Sequence, residues 1–238
     1  MEPIKGKYVL LAGATGGIGM ATARLFAAAG AHLFLTGRNP EKLDQIAKET
    51  GIPENALLAA DISAEADTIR LQKAFFNAYP RIDILINAAG LGIIKPLESL
   101  TADDMMRSLQ ANLIGSFNLV RAFLPSMKEA KKGLIINIPG VLGKTPMAGA
   151  AAYSASKYAL VGMMQSIREE LKRTEIRITN IYLGGVDSPF WDTIDLRVQR
   201  EKMIRAGEAA KAIWFLAQQP ASAVVSEMVL QPFNHQAI

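Results

Sequence analysis

Tyr8-Val9-Leu10-Leu11-Ala12-Gly13-Ala14-Thr15-Gly16-Gly17-Ile18-Gly19 carries the chain from a short apolar run through a glycine-rich turn into the helical pattern of residues 20–29. Strand, turn and helix in that order open a βαβ unit. Glycines at such a turn allow torsions closed to other residues and let main-chain N–H groups approach a pyrophosphate, which then lies at the positive end of the helix. Gly13, Thr15, Gly16, Gly17, Ile18 and Gly19 are therefore candidate cofactor contacts. Glycines can also merely turn a chain, and it is their place in the first βα unit that favours a nucleotide. The spacing leaves two patterns open, Gly13/Gly17/Gly19 and Gly13/Gly16/Gly19.

The alternation continues along the chain. Strands are expected at 8–12, 32–36, 56–60, 82–87, 134–138, 176–182 and 228–230, with helical patterns between them. Runs such as Ile82-Asp83-Ile84-Leu85-Ile86 and Leu134-Ile135-Ile136 are almost continuously apolar, as strands covered on both faces should be. Right-handed crossovers then give an α/β fold, a doubly wound parallel sheet of Rossmann type. One domain over residues 1–238 is expected, with the irregular stretch of about 184–205 as a lid over the substrate.

Composition narrows the function. Half the residues are hydrophobic and a fifth charged, and 26 Lys and Arg against 22 Asp and Glu leave a net charge of only +4, which argues against a nucleic-acid footprint. Without cysteine there are no disulfides, thiol nucleophiles or cysteine zinc sites. His32 and His235 lie outside every motif, so neither a metal site nor a Ser/His hydrolase is expected, and His32 simply opens a strand. Residues 1–7 show no signal pattern and no run is long enough to span a bilayer, so a cytoplasmic location with no membrane partner is expected.

The ends of the next strands supply further candidates. The second ends in Leu35-Thr36-Gly37-Arg38, where dinucleotide folds often place an acid on the ribose hydroxyls. The guanidinium of Arg38 suits a 2′-phosphate that a carboxylate would repel, which favours NADP(H) over NAD(H). Asp61, followed by Ile62, can accept a hydrogen bond from adenine or cap the next helix. Asn87-Ala88-Ala89-Gly90 offers small residues for close contact with the cofactor.

Tyr153-Ser154-Ala155-Ser156-Lys157 opens a helix expected to run to about residue 173, and the i, i+4 spacing puts Tyr153 and Lys157 on one face. An adjacent ammonium is expected to lower the phenol pKa, suiting proton exchange with an alcohol or carbonyl while hydride moves on a nicotinamide. Taken with Gly13-x-x-x-Gly17-x-Gly19, Asn87-Ala88-Ala89-Gly90 and Asn112, this pair resembles the short-chain dehydrogenase/reductase family over essentially the whole chain. The resemblance implies that Tyr153 is the general acid/base, that Lys157 binds the nicotinamide ribose and tunes the tyrosine, and that Asn112 supports a proton relay. Val186 and Ser188 stand where the family holds the nicotinamide carboxamide.

One departure is large. Thirteen positions before Tyr153 the family places a serine that polarises the substrate oxygen, and here Pro139-Gly140 offers no hydroxyl. Weak turnover with intact NADP(H) binding is expected, and a substantial gain in turnover for Gly140→Ser, the alternative being that a backbone at 140 closed to serine makes the change only destabilising. Ser154 and Ser156 are poor replacements. The competing classes are a cofactor-binding protein without turnover and a sugar-nucleotide epimerase, the latter lacking room for its substrate domain. Leu91, Leu142, Met147, Phe190 and Trp191, with Gly140, would line an apolar substrate pocket for a small or medium ketone or alcohol. The resemblance also implies a homo-oligomer, dimer or tetramer, paired through helices at about 102–131 and 151–173, which carry Met105, Leu109, Leu113, Phe117, Met163 and Met164.

Overall fold

The structure, a computed structural model, describes residues 1–233; His235 lies outside them. Seven strands form one parallel sheet in the order β3-β2-β1-β4-β5-β6-β9: β1 Tyr8–Ala12, β2 His32–Gly37, β3 Leu57–Ala59, β4 Ile84–Asn87, β5 Lys132–Asn137, β6 Glu175–Leu183 and β9 Glu227–Leu230. A separate parallel pair, β7 Val186–Asp187 and β8 Ile204–Arg205, closes the two ends of the expected insertion on each other. The helices are α1 Gly17–Ala28, α2 Pro40–Thr50, α3 Glu65–Ala78, α4 Ala102–Leu109, α5 Gly115–Ala130, α6 Ala151–Leu171 and α7 Ala206–Ala217.

Both faces of the sheet are buried because alternate residues of each strand serve different cores. Val9, Leu11, Leu33 and Ile136 pack with Phe26 of α1 and Ile213 of α7. Leu10, Phe34 and Ile135 pack with Phe75 of α3, Phe123 of α5 and Met164 of α6. This two-sided burial is why the strands read as unbroken apolar runs. Asp83, the polar interruption before β4, sits at the sheet end, where its carboxylate accepts from Tyr8 N at 2.9 Å and Arg81 Nε at 3.0 Å.

Strand order reverses between β1 and β4, so the crevice beyond their C-terminal ends is where an open α/β sheet binds ligands. The helix expected over 102–131 is not continuous. Between α4 and α5, residues Gln110–Ile114 form a π-helical turn, with Gly115 N–H reaching back to the carbonyl of Gln110. One extra residue in a turn leaves the apolar periodicity nearly intact, so the pattern hides it. No helix among the described residues is long and apolar enough to cross a membrane.

Candidate functional site

The turn after β1 is built by close approach. Gly13 has φ +78°, and a Cβ there would lie 2.5 Å from Ala89 N and 2.6 Å from Ala88 C, so the turn packs directly on the end of β4. A Cβ at Gly17 would stand 2.6 Å from Ser188 Cβ, and one at Gly19 would run into the carbonyl of Gly13, whereas Gly16 has room. The pattern whose positions are closed to side chains is thus Gly13/Gly17/Gly19. Gly37 is equally constrained, with Thr15 Oγ1 only 2.8 Å from where its Cβ would be.

These contacts frame two adjoining cavities that share Gly16 and the Ala88-Ala89-Gly90 wall. One, of about 190 Å³, is bordered by Thr15, Gly37, Arg38, Asp61, Ile62 and Leu91. Arg38 is exposed at its mouth and makes no ion pair among the described residues. Asp61 spends one carboxylate oxygen on Ser63 N and Oγ, at 3.0 and 2.8 Å, so its turn-forming role is realised beside the cavity. Asn87 faces away: its side chain donates to Ser116 Oγ at 2.7 Å and accepts from Ala89 N at 3.3 Å, fixing the loop without bordering either cavity.

The other cavity, of about 240 Å³, holds Tyr153, Lys157, Gly140, Leu142, Phe190 and Trp191 in its walls, with Ile18, Val186 and Ser188. Met147 does not reach it. It packs behind the wall with Val141 and Tyr182, because Gly149, at φ +77°, turns its loop back to accept Lys95 N at 2.8 Å. That contact, with Lys95 Nζ 2.5 Å from Asp104 at the start of α4, holds Ile94 in the cavity wall. Asp104 is also in a capping box with Thr101, and the Lys95 and Thr101 donors hold its carboxyl well below the usual carboxylate range.

Lys157 is 2 % exposed and donates to the Ile138 carbonyl at 3.2 Å. Burial lowers its pKa to about 8. The expected lowering of the Tyr153 pKa is not found. Burial pushes the phenol above its ordinary value, and the ammonium sits 5.6 Å from the ring centroid. At neutral pH Tyr153 therefore keeps its proton.

Asn112, fully buried in the π-turn, is committed through its side chain. Its Oδ1 accepts from Leu91 N at 2.8 Å while Nδ2 donates to Leu91 O and Ser156 Oγ, both at 2.9 Å. It sits behind Gly90, whose missing Cβ lets Asn112 Oδ1 and Lys157 Nζ approach to 3.1 and 3.2 Å of that position. Ser154 and Ser156 border neither cavity. At Gly140, φ is +70° and ψ 168°, a torsion pair essentially reserved for glycine, although the nearest atom to an added Cβ is 3.5 Å away.

Sequence reasoning missed Arg200. It donates to the Ser188 carbonyl at 2.7 Å and Asp192 at 2.6 Å, lies 3.6 Å from Asp187, and so gathers the strand β7 and the turn Pro189–Thr193. That turn drives Phe190 against Gly92, where a Cβ would collide with the ring, and to 5.8 Å from the Tyr153 ring. Nothing in the charged stretch around 197–202 signals this, since its partners are fixed only by the folded turn.

A parallel sheet with a switch-point crevice, leading to a half-buried tyrosine beside a buried lysine, defines a dinucleotide-dependent oxidoreductase architecture. The profile of the short chain dehydrogenase family matches residues 7–198, and the chain belongs to that family. It is 33% identical over 237 residues to a sepiapterin reductase of Chlorobaculum tepidum, covering 95% of this chain and 96% of that one. It is 30% identical over 232 residues to an uncharacterized oxidoreductase of Staphylococcus epidermidis, covering 98% and 100%. Among solved structures, a metagenomic short-chain oxidoreductase in complex with NADP superposes with a TM-score of 0.83 at 31% identity, covering 97% and 99% of the two chains.

Proposed function

We propose that this protein is an NADP(H)-dependent oxidoreductase that interconverts a carbonyl compound and its alcohol. The observation that carries the reading is the placement of Tyr153 and Lys157 in one cavity that adjoins the crevice ending at Arg38. The residues present fit the cofactor. The closed Cβ positions at Gly13, Gly17 and Gly19 leave a backbone cradle for the pyrophosphate at the N-terminus of α1, and Arg38 supplies a free guanidinium for the 2′-phosphate. Ala88, Ala89 and Gly90 allow the adenosine and ribose to lie against the backbone, while Val186 and Ser188 border the nicotinamide end.

When bound, NADP(H) supplies or accepts the hydride. Tyr153, protonated at neutral pH, donates its proton to the carbonyl oxygen as charge develops there, and takes it back in the reverse direction. Lys157, in the same cavity wall, would hold ribose hydroxyls of the bound cofactor. Asn112 acts one layer out, tying the Leu91 backbone and Ser156 together behind Gly90. The absence of a hydroxyl at Pro139 and Gly140 supports turnover below that of a site with one. The same absence favours a second reading, cofactor binding without turnover.

The cofactor assignment has a direct test. A charge-assisted contact of Arg38 with a 2′-phosphate contributes about 1.5–3 kcal/mol, roughly ten- to a hundred-fold in affinity. Fluorescence titration should give NADPH that advantage over NADH, and Arg38→Ala should erase it. Equal affinities in the parent protein would remove the assignment.

Residues 184–205 act as a lid in this reading, with Phe190 closing on Gly92 and Tyr153 and Arg200 as the latch. Arg200 is partly exposed, so its ion pairs are worth about 0.5–1 kcal/mol, and Arg200→Ala should raise substrate KM roughly two- to five-fold with kcat little changed. Steady-state kinetics with an unchanged KM would show that the turn holds without it.

The protein is also proposed to pair through α4–α5 and α6. Met106, Ile114, Phe117 and Tyr158 are exposed there, with Met105, Leu109, Leu113 and Met163 half-buried, whereas Met164 belongs to the core. Symmetric pairing would cover this face. Light scattering should give a dimer or tetramer at micromolar concentration, and a monomeric mass would contradict the proposal.

A further inference from the structure

Resting on the carbonyl reductase reading, the walls around Tyr153 identify what kind of carbonyl compound enters. The substrate end of the cavity is faced by Ile94, Val141, Leu142, Phe190 and Trp191. Phe190 and Trp191 meet edge to face, with centroids 5.2 Å apart, and Phe190 lies 5.8 Å from Tyr153, so three aromatic rings form one continuous wall. The indole N–H of Trp191 is already given to the Val186 carbonyl at 3.0 Å, which leaves carbon surface towards the cavity. The two positions after Ile138 where a hydroxyl could project, Pro139 and Gly140, have none.

The polar side chains in the lining are Tyr153, Lys157 and Ser188. Each has a task in the reaction or at the cofactor. Lys157 is further tied to the Ile138 carbonyl at 3.2 Å. Among the described residues, no arginine, histidine or second lysine borders the cavity. Lys95, the nearest cation on the Ile94 loop, is paired with Asp104 at 2.5 Å. A carboxylate drawn into this space would lose its water and find no counter-charge beyond Lys157, which is already committed, and that is strongly unfavourable. An aryl or branched alkyl arm would bury apolar surface against the rings.

We propose that the substrate is an uncharged carbonyl compound with an aryl or branched apolar arm, reduced at the carbon beside that arm, and that keto acids are disfavoured because the one cation among the described wall residues, Lys157, is committed to the Ile138 carbonyl and the cofactor. In the reductive direction, a C–H bond of NADPH would break to deliver hydride to the carbonyl carbon, the C=O π electrons would pass to oxygen, and the oxygen would take the Tyr153 proton, giving the alcohol and NADP⁺.

The test uses two probes that differ in one negative charge, ethyl benzoylformate and benzoylformate, with the full-length protein and NADPH. The ester should show a kcat/KM about 100-fold or more above the acid, the discrimination expected when a charge is buried without a partner. Equal values, or preference for the acid, overturn the proposal. Binding is read separately from turnover by quenching of Trp191 emission in a Trp214→Phe background loaded with NADP⁺. If the ester quenches and the acid does not, yet neither is turned over, the pocket assignment stands and the catalytic reading falls. If neither probe quenches, the aromatic wall is not a binding surface and the proposal falls. Ile94→Lys, which puts a cation into a half-buried wall position, should narrow the ester-to-acid ratio at least ten-fold by improving the acid. A soluble, NADPH-binding Ile94→Lys protein with an unchanged ratio also overturns it.

Discussion

Tyr153→Phe is expected to lower kcat by about 10²–10⁴-fold while leaving NADPH affinity within roughly two-fold, since the substitution removes a proton donor and nothing else. The ring packs against Phe190, and that contact survives in phenylalanine. The hydroxyl makes no hydrogen bond to another protein group among the described residues, so its loss strands no partner. The parent protein should add a pH signature. Because burial lowers the Lys157 pKa to about 8, its ammonium is lost as pH rises through that value, and kcat/KM for carbonyl reduction should fall above about pH 8. Lys157→Arg should move that fall out of range. Matching rates for Tyr153→Phe and the parent would leave the protein a cofactor binder with its chemistry elsewhere.

The architecture was readable because the apolar runs are nearly unbroken and each is followed by a helical pattern, which only a sheet covered on both faces produces. Spacing could not choose between Gly16 and Gly17. The choice depends on what lies against each glycine, and Ser188, the neighbour of Gly17, arrives from more than 170 positions away. Met147 and Met164 show the same limit from the other side. Their hydrophobicity is evident, but whether each faces the cavity, a partner or the core depends on the turn at Gly149 and the rotation of α6. The Tyr153/Lys157 pair was legible as a shared helix face, whereas its electrostatics were not. Desolvation, invisible in a sequence, sets the direction of both shifts. Arg200 and the Lys95–Asp104 pair hold the cavity walls without belonging to any motif, because surface ion pairs are chosen by the loops that happen to meet.

Gly140→Ser is the change that best separates backbone from chemistry at this site. By analogy with the family, a serine here would donate to the reacting oxygen, and adding such a donor is worth about 10²–10³ in rate. Space is not the obstacle, since an added Cβ meets nothing closer than the Leu183 carbonyl at 3.5 Å. Torsion is: φ +70° with ψ 168° is open to glycine alone, and the turn is held there by hydrogen bonds from Gly143 N to Gly140 O at 3.0 Å and from Thr145 N to Val141 O at 2.8 Å. Serine must either accept the strain, about 1–3 kcal/mol, or flip the adjoining peptide and disturb those bonds. The melting temperature should therefore fall by roughly 2–12 °C, with no gain in kcat. Gly140→Ala supplies the control, because it carries the same torsional cost without a hydroxyl. Equal destabilisation of the two variants, with neither faster than the parent, is the expected result. If Gly140→Ser instead melts like the parent and turns over 10²-fold faster while Gly140→Ala does neither, the loop rearranges freely, and the glycine marks a lost catalytic group rather than a backbone built around its torsion.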